Sequence, residues 1–167
     1  MTDHPIIDGG DFRRVLGHFP TGVTVVTALS SQGPLGVAIG SFVSISLDPP
    51  LVGFFLGKGS GSGAGIQEAG HFCVNVLCAD QLELCGLMAS KAEDKFSGVA
   101  WSPAHGTHAP VLPGVLGVID CNVDSVVEAG DHDLYIGRVQ HLDVLSDGEP
   151  MIFFKGQYGT FGTLPSA

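Results

Sequence analysis

The chain has 167 residues, the length of one domain, and is 44% hydrophobic but only 14% charged. An average soluble domain carries about 25% charged residues, so a bare monomeric surface is disfavoured, and both a sheet closed on itself and a face buried in a second copy (a homodimer) are expected. Seventeen acids against seven bases leave a net charge of −10, which repels a nucleic-acid backbone; no apolar run nears the ~20 residues of a membrane span.

The N-terminal stretch MTDHPIIDGGDF has neither a positive n-region nor an apolar h-region, so no signal peptide is expected and a cytoplasmic protein is. DGGDFRRVLGHF places Phe12, Val15, Leu16 and Phe19 at i, i+3, i+4 and i+7 behind Asp8, the pattern of a capped amphipathic helix. PTG breaks it. VTVVTAL, rich in β-branched residues, predicts a strand, and SSQGP a turn. GVAIGSFVSISL predicts one further strand interrupted at Gly40, closed by DPP, and LVGFFL a third. IQEAG allows a short helix of one or two turns, and HFCVNVL is a fourth strand. ADQLELCGLMAS predicts a helix with Asp80 and Glu83 spaced as a capping box, and SKAEDKF repeats that spacing with Ser90 and Glu93. VLGVIDCNVDSVV alternates apolar Ile119, Cys121 and Val123 with polar Asp120, Asn122 and Asp124, a half-buried strand. EAGDH is a hairpin turn, DLYIGRVQHLDVL the returning strand and PMIFFKGQY the last.

About seven strands and two or three short helices predict a mainly β protein, a small antiparallel barrel with helices packed outside. One domain spanning 1–167 is expected, with 1–10 and 160–167 as peripheral tails. Cys73, Cys78, Cys85 and Cys121 form no CxxC pair and are expected to be reduced core thiols. His105 and His108 have no nearby ligand partner and His4 falls in the tail, so no metal site is expected.

The glycine-rich stretch after the third strand is ambiguous. Gly59-Ser60-Gly61-Ser62-Gly63-Ala64 matches the dinucleotide pattern G-x-G-x-x-A, and Asp80 lies near the expected acidic position. That fingerprint needs a full helix behind it to hold a pyrophosphate. Only AGIQEA has helical character, with Gly65 inside it and Gly70 ending it. No Gly-Lys-Ser/Thr occurs either. A Rossmann unit is therefore not expected. A flexible polar loop without ligand and a phosphate loop of another fold both stay open.

Six motifs occur in order: FRRVLGHFPTGVTVVTA, GSFVSISLDPPLVGF, GHFCVNVLCADQ, KAEDKFSGVAW, GDHDLYIGRV and FFKGQY. From Phe12 to Tyr158 this order resembles the short-chain flavin reductases that supply two-component flavin-dependent monooxygenases. The resemblance implies a homodimeric split β-barrel of the FMN-binding type. It also implies FMN or FAD, NADH or NADPH as hydride donor, and a partner monooxygenase. The alternative is a flavin- or haem-binding split barrel, a carrier or sensor, without nicotinamide turnover. A pyridoxamine-phosphate type oxidase would need a basic pocket, and arginines are scarce here.

Site residues follow from the same resemblance. Ser41 and Phe42 match the segment that contacts the isoalloxazine ring, although Phe42 also suits core packing. Ala38 and Gly40 stand where the family has threonine and asparagine, so side-chain hydrogen bonds to the ring are missing. Pro20, Thr21 and Gly22 match the turn beside the nucleotide, with Thr21 a donor to the ligand or to its own turn. His132 matches the position near the nicotinamide, where it would orient the donor or stabilise charge. Lys95 and Phe96, with Lys91, match the segment that borders the ring and screens phosphates; solvated caps are the plainer reading of the lysines. Tyr158 would line the site or the dimer seam. Ser60 falls on a family serine and Gly61 on a phosphate-binding arginine. Lys58, Ser60 and Ser62 are left to hold the phosphate, and weak binding of flavin as a substrate is expected. In so acidic a chain Lys58, Lys91, Lys95, Arg13 and Arg14 must act locally on two anionic ligands.

Overall fold

A computed structural model describes residues 6–165 of the chain; His4 lies outside the described residues. In chain order the elements are α1 (Gly9–Leu16), β1 (Thr21–Gly22), β2 (Thr24–Ser30), β3 (Gly33–Ile39), β4 (Val43–Leu47), β5 (Pro50–Gly57), α2 (Gly61–Ala69), β6 (His71–Val76), α3 (Leu82–Ala89), β7 (Ser102–Pro103), β8 (Pro110–Val111), β9 (Gly117–Ala129), β10 (His132–Val144), β11 (Ile152–Phe154) and β12 (Gln157–Gly159). Helix α1 starts where its cap predicts: Asp8 Oδ1 accepts the amides of Gly10 at 2.8 Å and Asp11 at 3.1 Å.

The segment expected as one interrupted strand is two strands. The main sheet has seven strands in the order β3-β2-β6-β9-β10-β5-β4, so β3 and β4 lie at its opposite edges. Gly40, Ser41 and Phe42 carry the chain from one edge to the other. The crossing is pinned by Ser41, whose Oγ accepts the Phe55 amide at 3.0 Å and donates to the Phe55 carbonyl at 3.2 Å. The barrel is thus joined by the chain between edges that share no ladder, which makes it split.

Both faces of β2 are covered, which explains its unbroken apolar run. Val25 packs with Cys73, Leu77, Met88 and Phe96 beneath α3. Val26 packs with Phe54, Phe72, Tyr135 and Ile66 of α2. Phe54 sits at the centre of that second cluster, edge-on to Phe72 and stacked on Tyr135, with ring centroids 5.1 and 5.3 Å away.

Several local expectations are corrected. Position Gln81, not Asp80, caps α3, and the Asp80–Glu83 capping box does not form. The Gln81 amide instead ties two turns, accepting from Cys78 N at 2.9 Å and donating to Pro113 O at 2.8 Å. Ser90 ends α3 rather than starting another helix, because its hydroxyl donates back to Leu87 O at 2.7 Å. The last strand is a hairpin, β11 and β12, turning at Lys155 (φ 50°) and Gly156 (φ 76°). It pairs with β1, so PTG contributes a strand as well as a break. Asp120, on the polar face of β9, is only 1% exposed. Its carboxylate accepts the Gly106 and Thr107 amides at 2.8 and 3.0 Å and the Thr107 hydroxyl, holding the loop between β7 and β8 against the sheet.

Candidate functional site

The glycine-rich stretch is a turn followed by a helix, not an extended loop. Gly59 takes the turn at φ 86°, Ser60 is the N-cap position, and α2 runs nine residues from Gly61. Two of its glycines are there for close approach. A Cβ on Gly63 would lie 2.6 Å from Tyr135 Oη, and one on Gly65 2.3 Å from Leu35 Cδ2. All pairings in the main sheet are antiparallel, so among the described residues the parallel unit of a dinucleotide fold is absent.

The start of α2 forms one wall of a cavity of about 710 Å³, within the range of small-molecule sites. The second wall is β3 from Pro34 to Ala38, and the third runs from Met88 through Lys95 and Phe96. Of the residues expected to bind a cofactor, Ala38, Ser60, Ser62, Lys95 and Phe96 line this one cavity, with Lys91 and Gly61 beside them. Phe96, 9% exposed, packs beneath Gly36. A Cβ on Gly36 would meet Met88 Sδ at 2.7 Å and Phe96 Cε2 at 3.2 Å. Gly36 and Met88 were not anticipated; a glycine inside a strand was the available signal for Gly36.

Lys95 is committed to the fold. Its Nζ donates to Met88 O at 2.7 Å and Gly36 O at 3.1 Å, joining the C-terminal turn of α3 to β3. Burial lowers its pKa from the ordinary lysine value. It is a structural clamp that also faces the cavity.

The other expected residues stand elsewhere on the chain. Ser41 is held by Phe55, and Phe42 packs against the Phe54 cluster. Thr21 lies against Gly40: a Cβ there would be 3.1 Å from Thr21 Oγ1. Gly22 pairs with Ile152 in the small sheet. Pro20 and Tyr158 line a second, open cavity of about 360 Å³ with the β11–β12 hairpin. The Tyr158 ring is 5.1 Å from Phe153, and the Cys85 thiol beside its hydroxyl, then burial, raises its pKa.

His132 and Lys58 meet at the end of the β5–β10 pair, where His132 is opposite Gly57. His132 Nδ1 is 2.7 Å from Asp131 Oδ1. The histidine contact holds the Asp131 carboxyl below its ordinary value. Lys58 Nζ is 3.6 Å from Glu128 Oε2, and its amide donates to Asp131 O at 2.9 Å. Neither residue lines the larger cavity. Among the described residues no cluster of three or more histidine, cysteine or acidic side chains could hold a metal.

The family described as flavin reductase like domain matches residues 16–162. A flavin reductase of Pseudomonas putida is 47% identical over 95% of this chain and 93% of its own. The reductase subunit of a flavin-dependent monooxygenase of Rhodococcus jostii is 43% identical, over 91% of this chain and 77% of its own. Among solved structures, an NADH:FAD oxidoreductase of Streptomyces globisporus in complex with NAD and FAD fragments superposes with a TM-score of 0.88 at 32% identity. That likeness covers 98% of this chain and all of the other.

Proposed function

This chain belongs to the family of flavin reductase like domains, and on that premise we propose that it is an NAD(P)H:flavin oxidoreductase whose flavin site is the cavity between β3, α2 and α3. One observation carries the location: three separate elements bring Ala38, Ser60, Ser62, Lys95 and Phe96 to a single concavity of about 710 Å³. The cavity fits the group. Its floor at Met88 and Phe96 is apolar, and Gly36 lets those two side chains pack close against the β3 backbone. Its α2 wall offers serine hydroxyls and the first-turn end of a helix to a polar tail.

Bound flavin supplies the electron chemistry, taking at N5 the hydride given by nicotinamide C4. The chain's own part is positioning. Phe96 and Ala38, on the cavity walls, would flank the ring. His132, its Nδ1 held 2.7 Å from Asp131 Oδ1, would orient the nicotinamide. No side chain is required as nucleophile or general base.

The reading extends to FMN or FAD, either nicotinamide, a homodimer in the cytoplasm and a partner monooxygenase. The site residues split between the cavity, the β5–β10 end and the β11–β12 hairpin. A second copy that brought the latter two against the first would complete one site from two chains, and this favours the dimer. The bare apolar residues of α1, Phe12, Val15 and Leu16, each more than half exposed, favour it too. A relative that is a monooxygenase reductase subunit supports the partner. The test is oxidation of NADH or NADPH by purified protein with riboflavin, FMN and FAD in turn. Turnover above the protein-free rate is expected; none with any pair would sink the proposal.

A further inference from the structure

Two histidines far apart in sequence meet on the face of the β9–β10 ladder that carries Asp120. In sequence His105 has no ligand partner near it. The fold brings it His141: the two rings have centroids 5.1 Å apart and planes at 70°. His105 is exposed and His141 half-buried. Among the described residues, the histidine ring nitrogens that form hydrogen bonds belong to His18, His71 and His132. The nitrogens of His105 and His141 are left for a ligand.

A β-bulge makes this meeting possible. Val139 is opposite Cys121 and packs on the cluster around Phe54; past the irregularity that follows it, His141 is opposite Asp120. Residues directly opposite on paired strands share a face. The extra residue, Gln140, therefore turns His141 away from the Phe54 side, where two-residue alternation from Val139 would put it, to the side of Asp120. The Asp120 carboxylate also accepts the amides of Gly106 at 2.8 Å and Thr107 at 3.0 Å, the two residues after His105. One side chain thus places both histidines, His141 through the ladder and His105 through the loop.

That carboxylate is itself short of a counterion. Asp120 is 1% exposed, and its partners, two amides and the Thr107 hydroxyl, are all neutral. The ion pairs among the described residues leave it out. A buried charge is ordinarily matched by an opposite charge or by a metal. The ring spacing suits a metal. An imidazole nitrogen binds zinc at about 2.0–2.1 Å, which sets the centres of two rings on one tetrahedral ion roughly 5 Å apart. Both Asp120 oxygens are already engaged, so its part is to anchor the ligands and supply negative charge behind them.

We propose that His105 and His141 form a two-histidine chelate for a zinc-class divalent transition ion, with water in its remaining positions. Neither histidine lines the cavity assigned to flavin, so the site stands apart from that reading. Imidazole ligands suit Zn2+ and its neighbours and not Mg2+ or Ca2+. The net charge of −10 favours the approach of a cation.

The test is calorimetric titration of tag-free, metal-stripped, full-length protein with ZnCl2, and with MgCl2 as control. One Zn2+ per chain is expected to bind at this site at micromolar concentration, and Mg2+ not to bind. His105→Ala and His141→Ala are each expected to weaken Zn2+ by about a hundredfold or more, beyond what loss of a supporting contact costs. His18→Ala is expected to leave it unchanged. In a Zn2+-soaked crystal of the natural chain, the anomalous peak is expected between the two rings, about 2.0–2.1 Å from one nitrogen of each. No Zn2+ binding, an affinity undiminished in either histidine variant, or an anomalous peak only elsewhere overturns the inference. The crystal decides the matter even if a variant fails to fold.

Discussion

His132 shows how much of a residue's role depends on its neighbour. The pattern GDH predicts a tight turn, and the turn forms, but it also brings Asp131 to 2.7 Å from His132 Nδ1. His132→Ala is expected to lower kcat/KM for NADH by about tenfold or more, the worth of one good hydrogen bond, with the flavin Kd unchanged; steady-state kinetics beside a flavin titration checks both. The buried thiols give a prediction in pH. Burial, then Asp120, pushes Cys73 up to about 12, and burial with the neighbouring Cys73 raises Cys121 further. Above the ordinary thiol pKa the unfolded chain ionises these groups and the folded chain does not. Their contribution to stability is therefore complete below about pH 9 and is lost as pH rises beyond it. Denaturant melts across that range check the sign. Alkylation of the native protein is expected at the half-buried Cys78 and not at buried Cys73, Cys85 or Cys121.

At the scale of elements, the glycines of α2 carry opposite signs within one helix. Gly63→Ala should destabilise by about 1–3 kcal/mol, since the new methyl meets the buried, hydrogen-bonded Tyr135 hydroxyl. Gly61→Ala, whose Cβ meets nothing, should be neutral or stabilising by up to about 1 kcal/mol. Thermal melts of the pair check it. These glycines also explain why only the second half of the helix was legible: IQEA and its Gly70 stop read as helical, but the composition of its start says loop, and only the approach of β10 and β3 says otherwise. The crossing at Gly40 was hidden for a similar reason. Val37, Ile39, Val43 and Ile45 continue one alternation, and nothing local reports that the strand changes edges. Both capping boxes had the right spacing and failed because Gln81 and Ser90 bond to other turns. The long strands β9 and β10 were legible because their period and their Gly130–Asp131 turn agree.

For the molecule as a whole, the family was legible from the order of six weak motifs, since that order reflects the topology itself. The cavity was legible only in part. Ala38, Ser60, Ser62, Lys95 and Phe96 are far apart in sequence and meet through β3, α2 and the end of α3, whereas Gly36 and Met88 had no motif to announce them. The low charge and the bare apolar faces of α1 and β4 belong to this scale too. Sedimentation equilibrium at micromolar concentration is expected to give twice the chain mass, and Phe12→Asp with Leu16→Asp to shift it toward one. The central claim, that flavin is reduced in the cavity between β3, α2 and α3, is tested most directly by NADH oxidation in the natural protein and in Ala38→Trp, with folding of the variant checked by its thermal melt. Flavin-dependent oxidation by the natural chain, lost by about a hundredfold or more when the indole fills the cavity, is the predicted result; undiminished turnover in a folded Ala38→Trp protein would contradict it.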